Sequence, residues 1–182
     1  NLCFLNHGSF GSTPQEILDI QTELRREMEL RPIDFLHRDI AQNLHKARKS
    51  VAEFLQSDLD GTFFVHNATT GINAVLASFP LEAGDEILTT DHRYDAVRNT
   101  LDYTAARRGA RVVEAAVPFP LTSAQQVTDA IEANITPNTR LLVIDQITSP
   151  TAIRLPVADI VSMAHARGLP ILVDGAHSPG QI

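Results

Sequence analysis

Residues 169–181 read LPILVDGAHSPGQ, and this is the most informative stretch of the chain. A short apolar run over residues 171–173 ends at Asp174, and two small residues and His177 follow it. In an open α/β sheet, ligands bind beyond the carboxyl ends of the strands. The carboxylate of Asp174 is therefore predicted to lie at a ligand site.

Upstream of that stretch, residues 61–168 alternate between short apolar runs and segments of helical periodicity. Strands are predicted over residues 62–65, 86–89, 111–117, 141–145 and 170–174. Helices are predicted between them, over 69–78, 94–108, 123–134 and 157–167. Apolar strands without polar alternation are typical of a parallel sheet that is covered on both faces. We therefore predict an α/β fold with a mainly parallel sheet sandwiched by helices.

Residues 1–60 follow a different pattern and are predicted to form a separate N-terminal part. Residues 1–13 contain several Gly and Ser residues and are predicted to be extended. Helical periodicity then runs to about residue 30, is interrupted at the Arg-Pro pair, and resumes over residues 36–54 with a continuous apolar stripe. Residues 61–182 are predicted to form the ligand-binding domain.

Composition and charge narrow the classes of partner. The formal net charge of -7 argues against nucleic acid or an anionic membrane as the main partner. Cys3 is the single cysteine, so no disulfide can form within the chain, which favours a reducing compartment. No apolar run approaches the ~18 residues of a membrane span. We expect a cytoplasmic protein whose partner is a small molecule.

Three further predicted strands are followed by polar residues suited to a ligand. Residues 66–71 (HNATTG) open a helix, where backbone N–H groups can bind phosphate, or where Asn67 or Thr69 simply caps the helix. His92 could lie on a planar ligand or act as an acid or base, and residues 146–151 supply hydroxyl groups. These groups are expected at the same edge of one sheet as Asp174, as a cofactor site requires.

Two chemistries suit Asp174 and His177. The pair could bind a metal ion, in a metal-dependent hydrolase. Three further histidines could complete such a site: His66, His92 and His165. Alternatively, Asp174 could pair with the protonated nitrogen of a heterocyclic cofactor and make that ring a better electron sink. A nicotinamide-dinucleotide domain is not indicated, because the chain contains no G-x-G-x-x-G sequence.

Six phrases of the sequence, taken in order, resemble the large domain of fold type I pyridoxal-phosphate enzymes. The resemblance is to the class V aminotransferase and cysteine desulfurase superfamily, and within it most of all to isopenicillin N epimerase-like proteins. The phrases cover residues 4–11, 31–38, 67–73, 91–94, 147–151 and 173–178. The resemblance implies pyridoxal 5′-phosphate as cofactor, with residues 61–182 as an incomplete cofactor-binding large domain.

Roles for individual residues around the cofactor follow from the same resemblance. Thr69 and Thr70, with nearby backbone amides, would bind the cofactor phosphate. His92, or with less support Tyr94, would stack on the pyridine ring. Asp174 would bind the pyridine nitrogen and keep it protonated, so Asp174 and His92 are the candidate catalytic residues.

The resemblance also places residues at the cofactor's rim and at the substrate. His177, together with Ser149 or Thr148, would lie near the ring hydroxyl or the phosphate. Asn6 and His7 would contact the substrate. The implied function is an enzyme that acts on an amino acid by epimerisation, transamination or C–S cleavage (an isomerase, transferase or lyase) and that forms a homodimer when full length.

One residue of the family pattern does not occur in this sequence. In such enzymes a lysine that binds the cofactor covalently follows the Asp-Gly-Ala-His phrase, and a small C-terminal domain follows in turn. The only lysines here are Lys46 and Lys49, both in the second predicted helix and expected to be surface charges. We therefore expect the chain to be the N-terminal portion of a longer protein and to be inactive alone. The alternatives are a non-catalytic fragment or pseudo-enzyme that binds at most phosphate or the cofactor, and the metal-dependent hydrolase.

Overall fold

The structure, a computed structural model, describes residues 3–5 and 7–182. The chain divides into two compact units, Asn1–Phe64 and Val65–Ile182. The predicted substrate residue Asn6 lies outside the described residues.

The first unit is helical. Its elements are α1 (His7–Phe10), α2 (Gln15–Leu30), a π-helical segment (Asp34–Asp39) and α3 (Ile40–Leu55). The prediction that residues 1–13 are extended is wrong over His7–Phe10, which form the single helical turn α1. The helix predicted over residues 36–54 is present, but its first turn is π-helical and begins earlier. Gln56 caps the carboxyl end of α3. Its backbone is left-handed, and its N–H donates to the carbonyls of Ala52 and Glu53 in the last turn.

The second unit is built on a four-stranded sheet, and every pair of neighbouring strands is parallel. The strands are β1 (Glu86–Thr90), β2 (Arg111–Ala115), β3 (Thr139–Asp145) and β4 (Ile171–Asp174). Their spatial order is β2-β1-β3-β4, so β1 and β3 are central. The predicted parallel α/β fold is confirmed.

Four helices cover this sheet and create two apolar cores. They are α4 (Ala68–Ser78), α5 (Asp95–Arg108), α6 (Gln125–Glu132) and α7 (Val157–Ala166). Successive side chains of a strand point to opposite faces. Accordingly, Ile87 packs with residues of α4 and α5, whereas its neighbour Leu88 packs with residues of α6 and α7. Among the described residues, no helix is both long and apolar enough to cross a membrane.

The strand predicted over residues 62–65 does not form. Phe63, Phe64 and Val65 have the aromatic and β-branched side chains that strands favour, but they are 72%, 52% and 52% exposed. Strand propensity depends on packing against neighbours, and the ladder needs a partner strand. The four described strands pair only with one another, so this segment has no partner in the described part of the chain.

Candidate functional site

Two buried carboxylates lie side by side at the carboxyl edge of the sheet. Asp145 ends β3 and Asp174 ends β4, and the two residues are register partners in the parallel pair. They are only 5% and 8% exposed. Because register partners on parallel strands point to the same face, the two carboxylates share one environment.

The protein does not neutralise these two carboxylates with a salt bridge from any residue that the structure describes. Asp174 accepts one hydrogen bond, from the backbone N–H of Ala176 at 2.9 Å. Burial, followed by the charge of Asp174, raises the pKa of Asp145 to about 7, although backbone hydrogen bonds and the charge of Arg93 act in the opposite direction. A pair of buried carboxylates in this condition favours the approach of a cationic group.

His92 lies just beyond the end of β1 and is 8% exposed. Its Nδ1 is 2.8 Å from the hydroxyl oxygen of Thr151, and its Nε2 is 3.1 Å from the carbonyl oxygen of Val117. Thus both ring nitrogens have protein partners. The structure brings together two of the predicted site segments, the one after β1 and the one after β3.

Within the segment after β3, Thr148 and Ser149 are placed very differently. Thr148 is 1% exposed, and its hydroxyl oxygen is 2.8 Å from that of Thr151. The backbone N–H of Ile153 donates to the Thr148 hydroxyl oxygen at 2.8 Å. Ser149 is exposed. Of the two alternatives for a cofactor contact, Thr148 is the one connected to His92.

Several buried polar atoms around this edge have no hydrogen-bond partner among the described residues. Three of them flank the strand ends: the hydroxyl oxygen of Thr90, Nε of Arg93 and the hydroxyl oxygen of Ser178. Arg93 is otherwise well bound, since it donates to Glu114 at 2.6 Å and to the carbonyl of Thr90 at 3.2 Å. Unpaired buried polar groups are rare in folded proteins.

The amino-terminal end of α4 lies at the same edge. Asn73, in the second turn of α4, donates to Thr100, in the second turn of α5, at 3.1 Å. At the other end, Arg108 of α5 donates to the carbonyl of Ala77 near the end of α4 at 3.3 Å. The two helices therefore run side by side in the same direction. Because α5 begins shortly after β1 ends, the first turn of α4 also lies towards the carboxyl edge.

Asn67 caps α4, as one of the two sequence-based interpretations expected. Its side-chain oxygen accepts from the backbone N–H of Thr70 at 2.8 Å and from the Thr70 hydroxyl at 3.1 Å. Thr69 is half-buried and Thr70 is exposed. The first N–H groups of a helix have no partner within the helix, and they attract anions. Capping and phosphate binding are thus compatible here, because the cap uses only the third N–H of the helix.

The remaining predicted residues are dispersed. His177 is half-buried in the turn after β4, whereas Tyr94 is 45% exposed. His7 is exposed and belongs to the Asn1–Phe64 unit. Lys46 and Lys49 are both exposed on α3, as expected of surface charges.

The metal-hydrolase alternative has no cluster to support it. Over residues 3–5 and 7–182, the structure has no group of three His, Cys, Asp or Glu residues that could hold a metal ion. His66 and His165, two of the three histidines suggested as further ligands, are exposed. His92, the third, has both nitrogens bound to other protein groups.

Sequence reasoning missed Asp145 and the function of Thr151. Asp145 closes an apolar strand in the same way as Asp174, so the same pattern was available for both residues. Thr151 belongs to one of the six phrases, but its contact with His92 joins residues 59 positions apart. Such a contact has no periodic signature in the sequence.

Comparison with known proteins agrees with this geometry. The family model described as "Aminotransferase class-V" matches residues 11–182. An isopenicillin N epimerase from Streptomyces clavuligerus is 34% identical over 176 residues, which cover 97% of this chain and 44% of the epimerase. A putative L-cysteine desulfhydrase 1 from Oryza sativa subsp. japonica is 33% identical, with 98% of this chain and 40% of that protein covered.

A solved structure has the same fold over almost the whole chain. The cystine C–S lyase C-DES, in a form with glycine covalently linked to its pyridoxal-phosphate cofactor, superposes with a TM-score of 0.89 at 26% identity. The match covers 98% of this chain and 48% of C-DES. The chain therefore spans somewhat less than half the length of these relatives. Class V aminotransferases use pyridoxal phosphate.

Proposed function

The chain belongs to the aminotransferase class-V family, and on that premise we propose that the carboxyl edge of its sheet binds pyridoxal 5′-phosphate in an enzyme acting on an amino acid. One observation carries the proposal. The buried carboxylates of Asp174 and Asp145 lie together without a salt-bridging cation among the described residues. A protonated pyridine nitrogen brings the positive charge and the N–H donor that this position lacks.

Asp174 is the residue that would receive the pyridine nitrogen. Its carboxylate accepts only one hydrogen bond from the described residues, so it retains capacity to accept an N–H. A carboxylate next to the nitrogen stabilises the protonated form. When bound, pyridoxal phosphate supplies an electron sink for bond breaking at the carbon that bears the amino group. Asp174 makes that sink stronger by holding the proton on the ring.

The other residues would position the cofactor. The imidazole of His92, fixed by bonds at both nitrogens, offers its face to the pyridine ring. The amino-terminal turn of α4, with Thr69 and Thr70, would hold the phosphate through backbone N–H and hydroxyl groups. His177, half-buried in the turn after β4, would contact the ring hydroxyl or the phosphate.

The reaction proposed for the whole protein is epimerisation, transamination or C–S cleavage of an amino acid. The relatives support this set, because their names describe an epimerase, a desulfhydrase and a C–S lyase. We also propose that the whole protein is a cytoplasmic homodimer. The 182-residue chain alone is expected not to turn over amino acids, since its only lysines are exposed on α3 and covalent catalysis needs an amine at the site.

Binding of pyridoxamine 5′-phosphate to the 182-residue chain tests the proposal. This compound has an amine in place of the aldehyde, so it cannot attach covalently to Lys46 or Lys49. We expect binding in equilibrium dialysis, weakened about tenfold or more in Asp174→Asn, which corresponds to a loss of about 1.4 kcal/mol. Asp102→Asn, which changes an exposed carboxylate on α5, is the matched control and should bind like the original chain.

Two outcomes would contradict the proposal. If the original chain does not bind pyridoxamine 5′-phosphate, the edge is not a cofactor site in this chain, and the non-catalytic alternative is favoured. If Asp174→Asn binds as tightly as Asp102→Asn, the carboxylate does not contact the ring nitrogen. Circular dichroism of each variant separates a loss of binding from a loss of folding.

A further inference from the structure

We propose that Thr151, oriented by Thr148, holds His92 in the neutral form that carries its proton on Nε2, so that the ring offers its face and not its nitrogens to a ligand. Thr151 is thus a positioning residue. The statement that His92 faces a cofactor rests on the proposed function. The tautomer is a property of the chain and can be measured without any ligand.

The partner of Nε2 determines where the proton is. Nε2 is 3.1 Å from the carbonyl oxygen of Val117, and a carbonyl oxygen can only accept a hydrogen bond. Nε2 must therefore be the donor. In a neutral imidazole one nitrogen is a donor and the other an acceptor, so Nδ1 is the acceptor.

Nδ1 lies at the end of a run of hydrogen bonds. The donors and acceptors of this run are best satisfied when each hydroxyl donates towards Nδ1. The backbone N–H of Ile153 can only donate, and it donates to the Thr148 hydroxyl oxygen at 2.8 Å. The Thr148 hydroxyl then donates to Thr151 at 2.8 Å, and the Thr151 hydroxyl donates to Nδ1 of His92 at 2.8 Å. The run begins at an obligatory donor and ends at the lone pair of Nδ1. Every donor and acceptor in it has a partner.

The opposite direction gives poorer geometry. A doubly protonated ring would donate from Nδ1 to Thr151, whose proton would then have to turn towards Thr148. The proton of Thr148 would be left with the carbonyl oxygen of Ile153, at 3.4 Å instead of the 2.8 Å contact with Thr151. Hydrogen bonds weaken as this distance grows. Only with the neutral ring is every hydroxyl proton of the run donated across a 2.8 Å contact.

Because the residues of this run are buried, its hydrogen bonds fix the orientation of the His92 ring. Thr148 is 1% exposed and His92 is 8% exposed, so water is not a ready substitute for a lost partner. The carboxylate of Asp91 is 3.7 Å from Nε2, but it accepts the backbone N–H of Val117 at 3.0 Å. Bonds at two nitrogens on opposite sides of the imidazole fix the ring in its own plane. Neither nitrogen remains available to a ligand.

The direct test is the tautomer of His92 in the ligand-free chain labelled with ¹⁵N-histidine. Long-range ¹H–¹⁵N NMR near neutral pH distinguishes a protonated from an unprotonated ring nitrogen, and His92→Gln assigns the signals. We expect the proton on Nε2 in the original chain. Thr151→Val keeps the side-chain shape but removes the donor to Nδ1, so we expect the Nδ1 resonance to move towards that of a nitrogen without a hydrogen bond, whereas Thr151→Ser should restore it.

Ligand binding provides the second readout. Thr151→Val should weaken pyridoxamine 5′-phosphate binding several-fold, and Thr151→Ser should bind like the original chain. A proton on Nδ1 in the original chain, or an unchanged Nδ1 resonance in a folded Thr151→Val, would overturn the inference. If the expected tautomers are observed but no form of the chain binds the ligand, the inference about Thr151 holds and the proposed cofactor site fails. If Thr151→Val does not fold, the tautomers of the original chain and of Thr151→Ser still decide the question.

Discussion

The two edges of the sheet treat buried carboxylates in opposite ways. At the amino edge, Glu86 begins β1 and is fully buried, yet it is surrounded by partners: Arg111 forms an ion pair with it, and the hydroxyls of Thr136 and Thr139 donate to it at 2.7 and 3.4 Å. Burial alone would raise the pKa of Glu86, but these hydrogen bonds and the charge of Arg111 lower it. At the carboxyl edge, Asp145 has no such partners, and its pKa is raised.

The difference separates a carboxylate that the protein compensates with side-chain partners from one that it does not. Both carboxylates are almost inaccessible to solvent, at 0% and 5% exposure, so solvent exposure does not explain the contrast. What differs is whether the protein itself supplies cations and donors. A buried charge without them costs stability, which a protein tolerates most readily where a ligand provides compensation. Substituting one carboxylate at a time and measuring stability tests this difference between the edges.

The largest effect is expected from Asp145→Asn as a function of pH. The pKa of Asp145 is about 7 in the folded chain and 3.8 as the ordinary value, so the folded state keeps a proton that the unfolded state loses. Stability therefore falls as the pH rises from about 4 to about 7, by up to about 4 kcal/mol in total. The asparagine variant lacks this loss. Its stability relative to the original chain should rise over the same pH window, as measured by urea unfolding.

All other titrating groups are shared by the two chains, so the difference in the free energy of unfolding reports position 145 together with its coupling to Asp174. A difference that stays flat from about pH 4 to about pH 8 would show that Asp145 ionises normally. The contrast between the two edges would then be lost.

Glu86→Gln should lower the free energy of unfolding, whereas Asp145→Asn raises it near neutral pH, and the effect should be smaller. The amide keeps the volume but not the charge or all of the acceptor capacity, so Thr136 and Thr139 lose part of their bonding in a buried position. We expect a loss of about 2 kcal/mol in the free energy of unfolding. Glu82→Gln, at an exposed carboxylate in the same unit, should change it by less than about 0.5 kcal/mol. An equal effect of both substitutions would mean that the partners of Glu86 contribute nothing.

The smallest effect concerns the cap of α4. Asn67→Ala removes the acceptor for the Thr70 N–H and should destabilise the chain by about 1 kcal/mol. Asn67→Asp keeps the cap, and its stability should match that of the original chain, but its negative charge should weaken pyridoxamine 5′-phosphate binding by opposing the phosphate. Normal binding by a stable Asn67→Asp would place the phosphate elsewhere.

The sequence predicted the fold well because burial on both faces leaves a direct pattern. Residues 141–145 and 171–174 are apolar runs that end in aspartate, and both are strands in the sheet. Residues 62–65 have a similar apolar character, but a strand also requires a neighbour, which composition does not reveal. Periodicity therefore identified the helices and the four paired strands but overestimated the strand content.

The sequence indicated the edge of the sheet at which the candidate site lies, but not its hydrogen-bond network. Asp174 ends a strand and His92 follows one, so their location at one edge came from topology alone. The hydrogen bonds from Thr148 through Thr151 to His92 depend on how two loops pack, and the proximity of Asp145 to Asp174 depends on strand register. Neither loop packing nor register is encoded in local periodicity.

The most direct test of the central claim is the protonation state of the ring nitrogen in bound pyridoxamine 5′-phosphate. With the ring nitrogen labelled, ¹⁵N NMR reports whether it carries a proton, at a pH where the free compound has lost it. We predict a protonated nitrogen in the complex with the original chain and an unprotonated one in any complex with Asp174→Asn, since only a carboxylate supplies the opposing charge. An unprotonated nitrogen in the complex with the original chain would contradict the account.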